Sequence, residues 1–151
     1  MSKKIIAVIG AGITDEPTLK IAEEIGRLIA RRKAVLVCGG LGGVMEAASK
    51  GAKSEGGITV GILPQNHKNE ANPYIDISVA TGFGEGRNVI IARTADAMIA
   101  VGGEYGTLSE IAFGLKMGKP VIGIITWDIK GIIKASDPGD AVNKAFELLS
   151  T

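Results

Sequence analysis

Residues 101–110 read Val-Gly-Gly-Glu-Tyr-Gly-Thr-Leu-Ser-Glu, and this stretch decides the fold. The run Asp96–Val101, which leads into it, is typical of a short buried strand, and the apolar segment Thr107–Met117 is typical of a helix packed on a sheet, with the acid Glu110 on its first turn. A glycine-rich turn at such a junction lets a ligand approach the main chain. The free N–H groups of a helix start favour anions, phosphate above all. The stretch therefore predicts a site for a nucleotide-like small molecule.

The same alternation of short apolar runs and longer amphipathic segments continues along the chain. The predicted strands are Lys4–Ile9, Ala34–Cys38, Thr59–Leu63, Tyr74–Ala80, Asp96–Val101 and Pro120–Thr126. The predicted helices are Pro17–Arg32, Val44–Ser54, Arg87–Ala95, Thr107–Met117 and Pro138–Leu149. This pattern predicts an α/β fold in one domain over residues 1–151, a Rossmann-like three-layer sandwich. Its sheet is expected to be mainly parallel, with about six or seven strands and with helices on both faces.

Composition narrows the class of partner. The 17 basic and 16 acidic residues nearly cancel, and the chain has only one Trp, two Tyr and three Phe, so a nucleic-acid polymer is not an expected partner. The single cysteine, Cys38, excludes an internal disulfide and a cysteine-rich metal cluster, and we predict no metal site. No apolar run reaches membrane-spanning length, and the N-terminus leads directly into a strand pattern. We therefore expect a cytoplasmic protein without a membrane partner.

Glycine-bearing loops follow four of the predicted strands. In a parallel sheet such loops share the carboxyl edge, where ligands bind. The helix that begins at Arg87 also starts at this edge, so we expect Arg87 and Glu110 to face one pocket. The loops are Gly10-Ala11-Gly12, Gly39-Gly40-Leu41-Gly42-Gly43, Gly82-Phe83-Gly84-Glu85-Gly86 and the turn from Gly102 to Gly106.

Two of these loops each leave two interpretations open. The loop Gly10–Gly12 begins like a dinucleotide fingerprint, but Asp15 stands where the last glycine belongs and no acid ends the second strand, so NAD binding is disfavoured. This loop is either a ligand loop or a plain turn. The loop Gly39–Gly43 either binds phosphate or ribose through bare main chain, or is a tight packing turn.

Three isolated residues have mostly structural interpretations. Cys38 ends a strand and is expected to be a small buried filler. His67 lies in the polar loop from Pro64 to Pro73 and is expected to be a surface histidine. Trp127 either lines a pocket or covers the core or an interface.

Together these motifs resemble the family first described as possible lysine decarboxylases, whose better-known members are the LONELY GUY cytokinin-activating phosphoribohydrolases. The family pattern is an Arg-Lys pair on a helix, a strand, and then Pro-Gly-Gly-x-Gly-Thr-x-x-Glu. Arg87 stands in the place of the arginine, Glu110 in that of the glutamate, and the resemblance implies that these two are the catalytic residues. It implies that the ligand is bound by Gly10, Gly12, Gly39, Gly40, Gly42, Gly43, Met45, Asn88, Gly102, Gly103, Glu104, Tyr105, Gly106 and Thr107.

Three positions depart from that pattern. Asn88 replaces the lysine, Gly102 the proline and Glu104 the second glycine. This form is closer to a short bacterial branch that also resembles molybdenum-cofactor carrier proteins. A carboxylate at Glu104 is expected to repel a phosphate dianion unless it turns away or bonds ribose hydroxyls.

The resemblance implies two alternative functions around a phosphorylated small molecule. The first is nucleotide binding with N-glycosidase activity on nucleoside monophosphates. Arg87 would then orient the phosphoribosyl group, and Glu110, ionised near a helix start, would act as base or stabilise an oxocarbenium ion. The second is a non-catalytic carrier or sensor of molybdenum cofactor or a related phosphorylated pterin. No other cofactor is required, and an interaction module with a decayed site is a third alternative.

Lysine decarboxylation is excluded, because the chain has no Ser-x-x-His-Lys motif of the pyridoxal type.

Self-association is also expected. The mean hydropathy is +0.27, and Ile111, Phe113, Leu115 and Met117 are spread around one predicted helix. This is more apolar surface than one sheet face covers, so we predict a homo-oligomer, most simply a dimer.

Overall fold

The computed structural model describes residues 3–150. Within this range the predicted strands and helices are confirmed, with ends that differ by a few residues. The strands are β1 (Ile5–Gly10), β2 (Val35–Cys38), β3 (Ile58–Leu63), β4 (Ile77–Ala80), β5 (Ala97–Val101), β6 (Val121–Ile124) and β7 (Ile133–Lys134). The helices are α1 (Glu16–Arg31), α2 (Val44–Ser54), α3 (Arg87–Thr94), α4 (Tyr105–Lys116) and α5 (Pro138–Leu149).

The strands form one parallel sheet in the order β4-β3-β2-β1-β5-β6-β7. Alternate side chains of β1 enter two separate cores: Ile6 and Val8 pack with α1, α2 and α5, whereas Ala7 and Ile9 pack with α3 and α4. The predicted Rossmann-like sandwich with helices on both faces is therefore confirmed. The strand order reverses between β1 and β5, where open α/β sheets bind ligands.

The structure corrects the sequence prediction at three elements. Strand β7 was missed, because two residues are too few for a periodic pattern. Strand β4 begins three residues later than predicted and lies at an exposed sheet edge. Before it, the Asp76 carboxylate accepts the Thr59 N–H and pairs with Lys53 at 2.9 Å, which holds the chain in an irregular path.

Helix α4 begins at Tyr105 rather than at Thr107. Glu110 therefore lies on its second turn, not on its first as predicted.

Two helical glycines set the position of α2. A Cβ at Gly26 of α1 would lie 1.9 Å from the Ala48 carbonyl oxygen, and a Cβ at Gly51 of α2 would lie 1.9 Å from that of Glu23. Only glycine permits this contact between the two helix backbones, which fixes the start of α2 beside the loop after β1. In the described part of the chain, every helix is too short or too polar to cross a bilayer.

Candidate functional site

A cavity of about 500 Å³ opens at the carboxyl edge of the sheet, where the strand order reverses between β1 and β5. Its lining comes from the loops after β1, β2 and β5 and from the starts of α2, α3 and α4. Arg87 and Glu110 both line it, as predicted from their positions at this edge. The other predicted site residues among its lining are Gly10, Gly12, Met45, Asn88, Glu104, Gly106 and Thr107.

Some lining residues were missed in the sequence. Ile13 and Leu41 lie within the glycine loops after β1 and β2, and Glu85 lies within the loop that precedes α3. The glycine loops could have indicated them, because a loop that brings bare main chain to a ligand also brings its other side chains. Ile9 and Ala11 complete the lining.

The remaining predicted residues are not among the lining residues, and the loop Gly39–Gly43 shows why. A Cβ at Gly39 would lie 2.5 Å from the Arg87 guanidinium, and one at Gly40 would lie 2.6 Å from Leu63. A Cβ at Gly43 would lie 2.2 Å from the Ala11 carbonyl oxygen. These glycines contact protein, which fits the packing-turn interpretation. Gly42 lies in the same loop, and a Cβ at this position would lie 3.2 Å from the Gly12 carbonyl oxygen.

The loop after β5 is held from the side of β6. Gly102 and Gly103 have φ values of +58° and +106°, which glycine adopts readily. The Thr126 hydroxyl donates to the Gly102 carbonyl oxygen at 2.5 Å, and the Trp127 indole N–H donates to that of Glu104 at 3.2 Å. Tyr105 is 78% exposed and its ring lies 5.8 Å from that of Trp127. Trp127 therefore supports the loop from outside the cavity.

Arg87 is buried, and its guanidinium is hydrogen-bonded to three residues. Its Nε–H donates to the Ile62 carbonyl oxygen at 2.9 Å, an Nη1–H donates to Asn88 Oδ1, and Nη2 lies 3.5 Å from the Gly39 carbonyl oxygen. These bonds tie the start of α3 to the ends of β2 and β3. A guanidinium carries five N–H donors, so others remain for a ligand.

Asn88, where the resembling enzymes have lysine, connects Arg87 to α4. Its amide N–H donates to Ser109 Oγ at 3.1 Å, and the Ser109 hydroxyl donates to the Gly106 carbonyl oxygen at 2.6 Å. The lysine is thus replaced by a neutral group that positions Arg87 and the first turn of α4. Sequence reasoning missed Ser109, because its role depends on contact with a distant residue.

Glu110 is 7% exposed and lines the cavity. Burial raises the pKa of its carboxyl to about 8; the positive charge of Arg87 opposes this shift and the negative charge of Glu85 adds to it. The sequence predicted an ionised base here. The raised pKa disfavours an ionised base at neutral pH, because the carboxyl lies deep in the protein and on the second turn rather than at the helix start.

Helix starts at the cavity lack side-chain caps. Helices α2, α3 and α4 begin after Gly43, Gly86 and Glu104, and none of these residues accepts a hydrogen bond with its side chain from the helix. Met45 of α2 and Gly106 and Thr107 of α4 lie in these first turns and line the cavity. The Val44 N–H at the start of α2 donates to the Ala11 carbonyl oxygen at 3.0 Å, and the Arg87 N–H at the start of α3 is bonded within the turn before it. The N–H groups available to an anion are therefore those further along the first turn of α2 and on the first turn of α4.

A second cavity of about 390 Å³ adjoins the first and shares Gly12 and Ile13 with it. Gly43 lines this second cavity and Met45 lines the first, so the start of α2 lies between them. The side chain of Ile13, 93% exposed, lies where the two cavities meet. The two spaces together can hold an extended ligand.

Cys38 and His67, which the sequence analysis considered separately, do not line the first cavity. Cys38 is fully buried beside Ser49, with the sulfur 3.6 Å from the hydroxyl oxygen, and burial raises the pKa of its thiol, so it is a filler as predicted. His67 is exposed, in the loop before a short 3-10 turn at Lys68–Glu70.

Several solved structures match nearly the whole chain, and two of them illustrate the likeness. A molybdenum cofactor binding protein from Rippkaea orientalis is 38% identical, with a TM-score of 0.93 over 99% of both chains. The molybdenum cofactor carrier protein from Chlamydomonas reinhardtii is 36% identical, with a TM-score of 0.90 over 99% of this chain and 100% of that one.

The phosphoribohydrolases match a smaller part. A cytokinin riboside 5'-monophosphate phosphoribohydrolase from Mycobacterium marinum is 36% identical over 67% of this chain, which spans only 56% of that protein. A model of the SLOG cluster4 family matches residues 3–146. Because that match covers nearly the whole chain, the protein belongs to the SLOG cluster4 family.

Proposed function

We propose that the protein binds a phosphorylated, nucleotide-like small molecule in the first cavity and holds it without cleaving it. The molecule that the full-length relatives suggest is the molybdenum cofactor or a related phosphorylated pterin. The observation that carries the proposal is the cavity itself, because it combines uncapped helix starts with an apolar wall. Its volume of about 500 Å³ suits a ligand of this size.

The helix starts favour the phosphate. The first N–H groups of α2 and α4 lie at the cavity without a side-chain cap, and the helix dipole adds partial positive charge there. Each start carries one acid: Glu104 precedes α4 and lines this cavity, whereas Glu46 on the first turn of α2 lines the second cavity. Arg87 supplies the cation.

The apolar wall favours a flat ring. Ile13, Leu41 and Met45 line the cavity and come from the loops after β1 and β2 and from α2. A heterocycle that lies against these side chains removes apolar surface from water and leaves its polar edge free for the polar lining residues.

Glu110 favours a carrier over a hydrolase. A general base must be ionised to accept a proton, and a carboxyl whose pKa is about 8 is mostly protonated at neutral pH. The neutral Asn88 also removes the second cation of the enzyme pattern, which weakens the positioning of a phosphoribosyl group.

A phosphoribohydrolase is the second candidate, because Arg87 and Glu110 do share one cavity. The test is release of free base from a panel of nucleoside monophosphates. We expect turnover well below ~1 per second, rising as the pH passes through about 8 and Glu110 ionises. Turnover of ~1 per second at neutral pH that collapses in Glu110→Gln would establish the enzyme instead.

Calorimetry with a pterin monophosphate and the same pterin without phosphate tests the carrier proposal, and we expect tighter binding of the phosphorylated form. Gly12→Ala should weaken it by about tenfold, because the added methyl group faces the cavity 3.9 Å from Met45 Cε. Gly86→Ala is the matched control, since its methyl group contacts only Phe83, at 3.7 Å, and Gly86 does not line the cavity. Equal or tighter binding of the unphosphorylated pterin would contradict the proposal.

We also propose that the protein is a homo-oligomer. Ile77 and Val79 are exposed on the edge strand β4, and Phe113 is exposed on α4, so apolar surface remains uncovered in one chain. Light scattering at micromolar concentration tests this. A mass of 15.6 kDa, that of one chain, would contradict it.

A further inference from the structure

Three carboxyl groups line the first cavity: Glu85 from the turn before α3, Glu104 from the loop after β5, and Glu110 from α4. Within residues 3–150, Arg87 is the one cation that lines this cavity. An excess of carboxyls is unexpected in a site for a phosphorylated molecule, because these groups repel its anionic end. Their presence indicates that another part of the ligand faces them.

These carboxyls are free to accept hydrogen bonds. Among residues 3–150, none donates a hydrogen bond to the side chain of Glu85, Glu104 or Glu110, nor forms an ion pair within 4.0 Å of it. Glu110 is more than nine-tenths buried, and the positive charge that acts on it is that of Arg87, whose Nε–H donates to the Ile62 carbonyl oxygen. Among residues 3–150 the one buried side-chain atom without a hydrogen-bond partner is Gln65 Oε1, so the Glu110 oxygens are open to the cavity and can accept from a donor on a ligand.

The apolar lining restricts which donors fit. A ring whose face lies against Ile13, Leu41 and Met45 has its edge left for the polar lining residues, among them the three carboxyls. A 2-amino-4-oxo ring carries a ring N–H next to an amino group, and these two donors match the two oxygens of one carboxylate. A 6-aminopurine carries a ring nitrogen that accepts, next to its amino group, and this nitrogen opposes a carboxylate oxygen.

We infer that the carboxyls of Glu85, Glu104 and Glu110 recognise the donor edge of a 2-amino-4-oxo heterocycle, the ring shared by guanine and the pterins. Glu110 is the principal contact, because it is the buried member. Glu85 and Glu104 are more exposed than Glu110, and their carboxylates repel a ring edge that presents acceptors. This inference rests on the proposed function, since it specifies the ring of the phosphorylated ligand.

Three nucleoside monophosphates with the same ribose and phosphate test it: GMP has both donors, IMP lacks the amino group, and AMP presents the acceptor. Calorimetry at about pH 8.5 keeps Glu110 largely ionised. We expect GMP to bind roughly 10- to 100-fold more tightly than AMP, the range for one bidentate pair, with IMP between them. Glu110→Gln should abolish the preference. Glu147→Gln, the same change on the exposed last turn of α5, should keep it.

Each other outcome overturns a defined step. Equal binding of the three nucleotides, with weaker binding of 2'-deoxy forms, would mean that the carboxyls bind ribose hydroxyls and would contradict the inference. A GMP preference that survives in Glu110→Gln would also contradict it. Failure of the nucleotides and of the pterin monophosphate to bind would contradict the proposed function, on which the inference rests.

Discussion

Two kinds of helix start lie at the same edge of this sheet. Helices α1 and α5 begin with an aspartate cap: Asp15 Oδ1 accepts the Thr18 N–H at 2.9 Å, and Asp137 Oδ1 accepts the Asp140 N–H at 2.8 Å. Helices α2 and α4 begin without one, at Gly43 and Glu104. Every helix here carries a dipole, so the dipole does not locate the site. The cavity lies where the helix starts have no side-chain cap, so that N–H groups on the first turn of α4, and those after Val44 on α2, have no side-chain partner.

The largest effect on stability is expected from Gly43→Ala, at the start of α2, which has no side-chain cap. Its φ is +61°, and the new Cβ would lie 2.2 Å from the Ala11 carbonyl oxygen. We expect the free energy of unfolding in urea to fall by about 3 kcal/mol, from backbone strain and displacement of the loop after β1. Gly12→Ala, which has room for its methyl group, is the control and should unfold near the wild-type urea concentration. Similar stabilities for the two variants would contradict this account of the loop.

Glu110→Gln tests the buried carboxyl behind the open start of α4. The folded pKa of about 8 lies above the ordinary value of 4.5, so between these pH values the folded state holds a proton that the unfolded state has lost. Wild-type stability should therefore fall relative to Glu110→Gln as the pH rises through this window, by about 2 kcal/mol between pH 5.5 and 7.5. Urea unfolding of both proteins across this range measures the slope.

The exposed Glu147→Gln should show no comparable slope relative to wild type. A constant difference between Glu110→Gln and wild type at every pH would mean that Glu110 is ionised in the folded protein.

Removal of the aspartate cap from α1 or α5 should lower the stability of the protein without changing its affinity for the ligand. Asp15→Ala should lower the free energy of unfolding by about 1 kcal/mol, because the Thr18 N–H loses its partner. Affinity for a pterin monophosphate should stay at the wild-type value, since Asp15 does not line the cavity. Asp137→Ala on α5 provides the parallel measurement. Weaker binding in the Asp15 variant, but not in the Asp137 variant, would show that α1 belongs to the site.

The smallest expected effect concerns Glu104 at the open start of α4. With ribose 5-phosphate, a probe without a ring, Glu104→Gln should bind about two- to threefold more tightly, because an exposed like charge is removed. The gain should shrink with added salt. Calorimetry at low and high ionic strength measures both effects. Unchanged affinity at low salt would mean that the carboxylate is turned away from the phosphate.

The sequence predicted which loops line the cavity, but it predicted few of the contacts between individual side chains. Arg87 and Glu110 were placed in one cavity because a parallel sheet brings the carboxyl ends of its strands to one edge. The role of Gly39 was not predictable, because its close neighbour is the Arg87 guanidinium, 48 residues along the chain. The contact between Asn88 and Ser109 was missed for the same reason.

By itself the sequence determined the order of strands and helices, the parallel sheet and the edge that carries the site. These follow from periodicity and turn residues, which act between neighbours in the chain. Only the tertiary structure decided which glycines line the cavity and which contact protein, which helix starts lack a side-chain cap, and that burial raises the pKa of Glu110. Burial and hydrogen bonding depend on residues far apart in sequence, and so does the pKa of a buried acid.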